Sequence, residues 1–409
     1  MYMAIPSEKL AESLDVLHKL QQQGNVVLRS ADLSRTHRER LTKNGFLKEV
    51  MKGWYICSRP DENTGESTWW YASFWAFCAA YLNHLKGAKW ILSPEQSLCL
   101  HAENKSVPKQ LLVRAEKARN NITKLPFETS LLDIRSNLPD GGDVVHKDGL
   151  RLYNLSSALI ACSPGYFQQN STVTRAALAI IQDASEILRK LLDGGHSVVA
   201  GRLAGAFRNI GRNKIADDII QSMRAAGYDV RETDPFESPS PIQFTEREQS
   251  PYVNRIRLMW QEMRDVVINQ FPPLPKQPLD IETYLKKVED IYVTDAYHSL
   301  SIEGYRVSRE LIERVRSGDW NPDVNQSDAE HRNALAARGY WQAHEVVKTS
   351  IRKILSNENS GNVVEGDLNI WYRELFAPSV TAGILRPGDL AGYRNHPVFI
   401  RLSKHVPPS

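Results

Sequence analysis

Two short segments in the last third of the chain constrain its fold more than any other feature. The first is a helical pattern from Asp280 to Ser299 that runs directly into Ser299-Leu300-Ser301-Ile302-Glu303-Gly304. The second begins at Gly392-Tyr393-Arg394 and continues as the β-rich run Val398-Phe399-Ile400-Arg401, before Pro407-Pro408. Because proline lacks the amide proton that a sheet requires, this pattern predicts a β-hairpin that stops at the two prolines. The C-terminal region is therefore predicted to be helical with one hairpin.

Taken together, the two segments resemble the Fic family of proteins. In that family a Ser/Thr-x-x-x-Glu-Gly/Asn motif on a helix inhibits the enzyme, and Ser299, Glu303 and Gly304 match its fixed positions. The C-terminal pattern resembles the family's flap, a hairpin whose exposed edge receives an extended target segment through main-chain hydrogen bonds. The flap residues that this resemblance identifies are Gly392, Tyr393, Arg394, Val398 and Ile400.

The active-site signature of the family does not occur in this sequence. Intact members carry His-Pro-Phe/Tyr-x-Asp/Glu-Gly-Asn-Gly-Lys/Arg, in which the histidine is the general base, a carboxylate holds Mg²⁺ and the arginine contacts phosphate. The nearest string, His396-Pro397-Val398-Phe399, lacks the Gly-Asn-Gly-Arg part. The resemblance implies that the intact protein is an autoinhibited adenylyltransferase, which uses ATP and Mg²⁺ to transfer AMP to a target protein hydroxyl. For this chain alone, which stops at Ser409, we predict no catalytic residue, cofactor or transferase activity.

The resemblance also gives Glu303 a physical role. In the family the inhibitory glutamate pairs with the signature arginine that otherwise binds the γ-phosphate of ATP. A carboxylate in this position repels the triphosphate and occupies its arginine, so the α-phosphate is not aligned for attack. Glu303 is therefore predicted to be regulatory. The alternative is that Ser299 and Glu303 belong to an exposed helix end without a regulatory role.

Residues 1–60 are predicted to form a winged helix-turn-helix. Leu10, Leu14, Leu17 and Leu20 recur at helical spacing, Ser30 is expected to cap a short second helix, and Ser34 a third one that stops at Asn44-Gly45. The β-rich segments on either side of Lys52-Gly53 predict the wing hairpin. This arrangement favours DNA binding by four basic residues, Arg35, Arg38, Lys43 and Lys52. The alternatives are a solvated helix face and a winged helix that binds protein.

Residues 61–236 are predicted to form an α/β domain. Short strands are expected at 89–93 and 110–113, and a single amphipathic helix from Ala176 to Leu192. The glycine-rich segment Val199–Arg212 lacks the Gly-Lys-Ser/Thr ending of a P-loop, so we predict a closely packed helix. Residues 1–236 as a whole resemble regulators of the AbiEi antitoxin type, and this resemblance implies binding to the operator DNA of a toxin–antitoxin operon. A DNA-binding regulator is therefore the alternative to the enzyme.

A cluster of proline and serine at 237–242 predicts a linker over residues 237–250. The following helix, from about 252 to 270, carries Ile256, Met259, Trp260 and Met263 on one stripe. Residues 251–409 are then predicted to be the first part of a Fic domain, with the inhibitory helix and flap but without the catalytic motif. Apolar faces left without the catalytic bundle would be exposed, which predicts aggregation or a homodimer of this chain.

Composition excludes few classes of protein. The content of 42% apolar and 24% charged residues is ordinary for a globular protein, and a net charge of +3 does not by itself indicate nucleic-acid binding. No secretion signal is recognisable at the N-terminus, which predicts a cytoplasmic protein. The apolar run at 69–82 is shorter than the roughly 20 residues that span a bilayer, so we predict a buried helix and no membrane partner. The cysteines lack metal-site spacing, and His344-Glu345 lacks a second histidine, so no metal site is predicted.

Overall fold

The computed structural model describes residues 6–58, 67–244, 250–273, 280–319 and 332–391. Within these ranges the protein is mainly helical and contains three small sheets. The chain forms two compact units, the first built on Met1–Phe271 and the second on Pro272–His396. At this level the predicted multidomain organisation, mainly helical with α+β parts, is confirmed.

The first unit begins with two helices and a three-stranded antiparallel sheet. Its elements are α1 (Pro6–Gln22), β1 (Val27–Arg29), α2 (Arg35–Lys43), β2 (Leu47–Met51) and β3 (Trp54–Cys57). The strands pair in the order β1-β3-β2, and the turn at Lys52-Gly53 joins β2 to β3 as predicted. Ser34 caps α2 by accepting a hydrogen bond from the amide of His37, and Gly45 follows the helix at φ +79°. These predictions are confirmed. Each feature depends only on neighbouring residues, so the local sequence was sufficient to predict it.

The prediction of a short helix capped by Ser30 is wrong. The chain between Ser30 and Leu33 is a turn. Asp32 accepts a hydrogen bond from the Arg29 amide at 2.7 Å, and the Ser30 amide donates to the Gly53 carbonyl at 2.9 Å. The turn is thus tied to the hairpin, and its backbone groups are used there instead of in a helix.

A four-stranded sheet and a long apolar helix form the middle of the first unit. Its elements are α3 (Thr68–Lys86), β4 (Trp90–Leu92), α4 (Pro94–His101), β5 (Gln110–Ala115), β6 (Ile122–Lys124), β7 (Ser130–Arg135), β8 (Val144–Lys147) and β9 (Leu150–Tyr153). The sheet has the order β4-β5-β7-β6, with β5 and β7 parallel, while β8 and β9 form a separate hairpin. The predicted strands at 89–93 and 110–113 are confirmed as β4 and β5.

Helix α3 is the buried helix that the sequence predicts over 69–82. Trp70, Phe74 and Phe77 are fully buried in one cluster with residues of the sheet. The ring edges of Phe74 and Phe77 meet the ring of Trp70 at 5.4 Å between centroids, a favoured aromatic geometry. Among the described helices, none has the length and apolar character that a membrane crossing requires.

The first unit is expected to lose stability as the pH falls below about 6.5. His101 is mostly buried and its Nε2 lies 2.8 Å from the Tyr153 carbonyl oxygen. Burial lowers the pKa of His101 from its ordinary value of 6.5, with a further contribution from nearby Lys147. Between the folded and unfolded pKa values the unfolded chain binds more protons, so the free energy of unfolding decreases as the pH falls through this window.

Thermal unfolding at pH 7.5 and pH 5.5 checks this expectation. The loss of melting temperature should be smaller in His101→Gln, whose amide can still donate to the Tyr153 carbonyl but does not titrate. His18→Gln on the exposed face of α1 is the matched control and should keep the full pH effect. An equal loss in His101→Gln and in the unmodified chain would contradict the assignment.

Seven further helices complete the described part of the first unit. They are α5 (Leu155–Ala161), α6 (Pro164–Gln169), α7 (Ser171–Ile180), α8 (Ser185–Asp193), α9 (Ser197–Asn209), α10 (Asn213–Ala225) and α11 (Pro251–Gln270). The single helix expected from Ala176 to Leu192 is wrong, because Ile181 is extended and separates α7 from α8. Asp183 then accepts a hydrogen bond from the Ser185 amide at 2.8 Å, which starts the second helix. Periodicity alone did not reveal this break, because the apolar pattern continues through it.

The glycine-rich segment forms α9, a closely packed helix as predicted. A Cβ atom on Gly201 would lie 1.9 Å from the Arg231 carbonyl oxygen, and one on Gly205 would lie 2.3 Å from that of Thr233. The Thr233 amide donates to the Gly201 carbonyl at 3.1 Å. The two glycines therefore let the segment 231–234 lie directly on the helix backbone, which is a packing role.

Helix α11 is part of the first unit and packs on its core, whereas the sequence prediction placed it in the region 251–409. Leu258 is fully buried in the main core, and Arg255 donates to the Ala102 carbonyl at 3.1 Å. Thr172 on α7 donates to Glu262 at 3.3 Å. The predicted apolar stripe is exposed on this helix and consists of Ile256, Met259, Trp260 and Met263.

The second unit is helical throughout its described residues. Its elements are α12 (Ile281–Ile302), α13 (Arg309–Ser317), α14 (Arg332–Leu355), α15 (Ser360–Thr381) and a short 3₁₀ helix at Pro387–Leu390. Asp280 caps α12, and Ser308 caps α13 as predicted. Tyr292, Leu300 and Leu335 are buried in the core that α12, α13 and α14 share. Gly339 of α14 lies against α15, where a Cβ would approach the Leu375 carbonyl oxygen to 1.9 Å.

Candidate functional site

The segment predicted to be inhibitory forms the C-terminal end of α12. Glu303 is the C-cap residue of α12, and Gly304 follows in the left-handed conformation at φ +85°. The Tyr305 amide donates to the Leu300 carbonyl at 2.9 Å, and the Gly304 amide donates to the Ser301 carbonyl at 3.0 Å. These bonds form a Schellman motif, whose left-handed position favours glycine because glycine has no Cβ. Gly304 therefore ends the helix directly after Glu303.

A pocket of about 500 Å³ lies beside this helix end, between α12, α14 and α15. Its wall is mainly apolar, with Leu375 and Phe376 contributed by α15. Among the described residues of the lining, Glu303 is the one that carries a charge. Its side chain is exposed and makes no hydrogen bond or ion pair with the described part of the chain. The pocket thus presents a free carboxylate at the end of a capped helix.

Tyr340 on α14 holds the last turns of α12 in place. Its hydroxyl donates to Asp295 at 2.6 Å and lies 3.3 Å from the Ser299 hydroxyl. Burial and the hydrogen bond to Asp295 raise the pKa of Tyr340, so it remains a donor at neutral pH. Ser299 is thereby fixed against α14 one turn before Glu303. Sequence reasoning missed Tyr340, because nothing in its own segment indicates the contact with α12.

A second polar cluster joins α12, α13 and α14. Lys348 Nζ lies 2.7 Å from Glu345 Oε1 and contacts Glu289, which also pairs with Arg316 at 2.8 Å. Partial burial by itself would raise the pKa of Glu289, but the hydrogen bond from Lys348 and the nearby positive charges lower it. Both Glu289 and Glu345 therefore face cationic side chains.

His344 belongs to the same cluster. Its ring stacks on Trp341, with an angle of 18° between the planes, and lies 4.7 Å from the ring of Tyr292. Only 10% of the side chain is exposed, and Nδ1 has no hydrogen-bond partner in the described structure. Burial and the neighbouring Lys348 lower the pKa of His344, which favours the neutral imidazole.

The cluster contains three groups that could hold a metal ion. One ligand atom each from Glu289, His344 and Glu345 lies within 4.8 Å of the others. The sequence showed the adjacent pair but not Glu289, because that residue comes from another helix. The prediction of no metal site was based on the missing second histidine and did not consider a third ligand from α12.

The four residues predicted to bind DNA lie at the start of the first unit. Arg35 is paired with Glu39 at 2.7 Å, and Arg38 donates to the Ser30 carbonyl at 2.9 Å. Lys43 at the end of α2 and Lys52 in the hairpin turn are exposed, without an ion pair in the described structure. Two of the four are therefore free to meet a ligand, while the other two already have protein partners.

The structure brings Ser299, Glu303 and Gly304 together at one helix end. The flap residues lie outside the described part of the chain, and their hairpin remains a prediction. The 3₁₀ helix at Pro387–Leu390 is the last described element before them.

Comparisons with known proteins gave no relative. No family model matches the chain, and neither the curated proteins nor the solved structures contain a significant match. The functional conclusions below therefore depend on the sequence motifs and on the geometry of the two clusters.

Proposed function

We propose that this chain is the regulatory and target-docking part of a Fic-type protein adenylyltransferase, with Glu303 as its inhibitory residue. The observation that carries the proposal is the free, exposed carboxylate of Glu303 beside the pocket. Its position is set by the Schellman motif at Gly304 and by the contact between Tyr340 and Ser299. A carboxylate held in this way is suited to pair with an arginine that the rest of the enzyme supplies.

The physical basis of inhibition is electrostatic. Two unit charges 4 Å apart interact by about 4 kcal/mol at an effective dielectric constant of 20, so a single carboxylate can repel or redirect a triphosphate. Glu303 would act by holding the arginine that binds the γ-phosphate and by disfavouring the productive pose of ATP. Release of Glu303 would then permit a target hydroxyl to attack the α-phosphate of ATP in the presence of Mg²⁺, so that AMP is transferred and pyrophosphate leaves.

The remaining parts of the proposal come from the resemblance. The flap residues Gly392, Tyr393, Arg394, Val398 and Ile400 would receive the target protein by strand addition. The chain by itself is expected to have no transferase activity, since residues 1–409 do not include the signature. ATP and Mg²⁺ would be used by the intact protein, in the cytoplasm.

Transfer of label from ATP tests the enzymatic class. The protein extended by its natural downstream sequence is incubated with Mg²⁺ and either α-labelled or γ-labelled ATP. AMP transfer predicts labelling of protein from α-labelled ATP and none from γ-labelled ATP. Labelling from the γ-position alone would replace AMP transfer with phosphate transfer, and no labelling from either would count against an enzyme.

DNA binding by the first unit is the second proposal. It is supported by a helix and hairpin that leave Lys43 and Lys52 exposed and unpaired within the described structure. Two lysines that contact phosphates would contribute a salt-dependent affinity without base specificity. This proposal does not require the enzymatic one, because the two sites lie in different units of the chain.

We expect the Lys43→Ala/Lys52→Ala double variant to bind duplex DNA about tenfold more weakly and to reduce the salt slope by about two. Fluorescence anisotropy with the DNA upstream of the gene and with a shuffled duplex measures both quantities. The Lys109→Ala/Lys117→Ala variant makes the same change in charge at exposed positions elsewhere in the unit and should bind normally. Equal loss in both double variants would argue against the predicted surface.

A further inference from the structure

We propose that Glu289, His344 and Glu345 form a site for a divalent transition metal such as Zn²⁺, and that the ammonium group of Lys348 competes for it. The site would connect α12 to α14 within the second unit. It is separate from Glu303 and its pocket, and it does not depend on the proposed adenylyltransferase.

The three side chains have the right chemistry for such an ion. One imidazole nitrogen and two carboxylate oxygens are common zinc ligands, and a water would complete a four-coordinate site. With bonds of about 2.0–2.2 Å, tetrahedral ligands lie roughly 3.4 Å apart. His344 Nδ1 is already 3.7 Å from Glu345 Oε1, and all three ligand atoms are within 4.8 Å of one another. Small side-chain movements would therefore be enough to close the site.

The buried nitrogen of His344 is the independent observation that points to a ligand. Leaving a buried polar atom without a hydrogen bond costs free energy, so nearly all such atoms in folded proteins are paired. A buried polar atom without a protein partner therefore indicates a bound water or ion. Nδ1 of His344 has none within the described structure, although the ring is nine-tenths buried and held by Tyr292 and Trp341. A metal ion at this nitrogen would satisfy it.

Lys348 explains why the site need not hold a metal at all times. Its ammonium group bridges Glu345 and Glu289, so it is the cation that the two carboxylates share in this structure. Arg316 occupies a second position on Glu289. An incoming divalent ion would displace the ammonium group of Lys348, whose Nζ lies 5.6 Å from the centre of the Trp341 ring. A polar groove of about 420 Å³ lined by Lys348, Glu345 and Glu289 gives an access route from solvent.

Removing the charge of Lys348 should increase the affinity for the metal ion, so the proposal can be tested by a gain of binding. Lys348→Met keeps an unbranched, flexible side chain but removes the ammonium group from Glu345 and from one oxygen of Glu289, whose other oxygen stays paired with Arg316. We expect Lys348→Met to bind Zn²⁺ at least tenfold more tightly than the unmodified chain, with one ion per chain, when measured by isothermal titration calorimetry. Visible absorption of bound Co²⁺ should change with the same stoichiometry, and bound Zn²⁺ should raise the melting temperature of the variant.

His344→Phe in the Lys348→Met background should abolish this binding, while preserving the aromatic stack. His298→Phe, which removes an exposed histidine from α12, is the matched control and should bind normally. Glu345→Gln is a second loss variant in case His344→Phe is not folded, as judged by circular dichroism. The proposal is overturned if Lys348→Met shows no saturable binding, or if binding survives both His344→Phe and Glu345→Gln.

Discussion

Gly339→Ala should destabilise the second unit by about 3 kcal/mol, since cores and helix contacts tolerate overpacking poorly. The new Cβ would lie 1.9 Å from the Leu375 carbonyl oxygen, which belongs to the backbone of α15. A backbone carbonyl cannot rotate away as a flexible side chain can, so α14 and α15 must separate. The intrinsic preference of helices for alanine over glycine, about 1 kcal/mol, offsets only part of this cost.

Gly366→Ala is the matched control for this prediction. Gly366 lies inside α15, and a Cβ built there has no atom within 4 Å. This variant should be unchanged or more stable by up to about 1 kcal/mol. Hydrogen exchange followed by mass spectrometry resolves the peptides of α14 and α15 from the first unit. Gly339→Ala should increase their exchange about a hundredfold, and equal exchange in the two variants would show that the helices do not meet at Gly339.

Local sequence signals predicted the element ends well. Ser34 and Ser308 cap the helices that follow them, and Gly45 ends α2 in the left-handed conformation. Each of these features depends on a hydrogen bond or a backbone angle within a few residues, which the sequence can specify directly. Helix α9 was also predicted from a local feature. Its glycine-rich segment lacks the Gly-Lys-Ser/Thr ending of a phosphate-binding loop, which favoured a helix.

The features that the sequence did not predict depend on contacts between residues far apart in the chain. The turn at Ser30 depends on the Gly53 carbonyl of the hairpin, and the break before α8 interrupts an apolar pattern that looks continuous. Likewise, no local pattern indicated that Glu289 would meet His344, or that Tyr340 would contact Ser299. These pairs come from different helices, and only the packing of the second unit brings them together.

Glu303→Gly should raise self-labelling of the extended protein at least tenfold. Removal of the carboxylate leaves the phosphate-binding arginine free and ends the repulsion of the triphosphate. A tenfold increase in rate requires only about 1.4 kcal/mol, which is well within the roughly 4 kcal/mol of a charge pair at 4 Å. Folding should be unaffected, because Glu303 is exposed and has no side-chain partner in the described structure.

Glu358→Gly is the matched control for Glu303→Gly. Glu358 is exposed and lies in the connection between α14 and α15, away from the pocket lining. The same loss of charge at this position should leave labelling unchanged. An equal rise in both variants would indicate a general effect of net charge on ATP binding.

The inhibitory role of Glu303 is measured by the ratio of α-label incorporated by Glu303→Gly to that incorporated by the unmodified extended protein, at equal concentrations of ATP and Mg²⁺. We expect a ratio of about ten or more, with Glu358→Gly remaining at one. A ratio of one or less, in a protein that does incorporate label, would contradict an inhibitory role for Glu303.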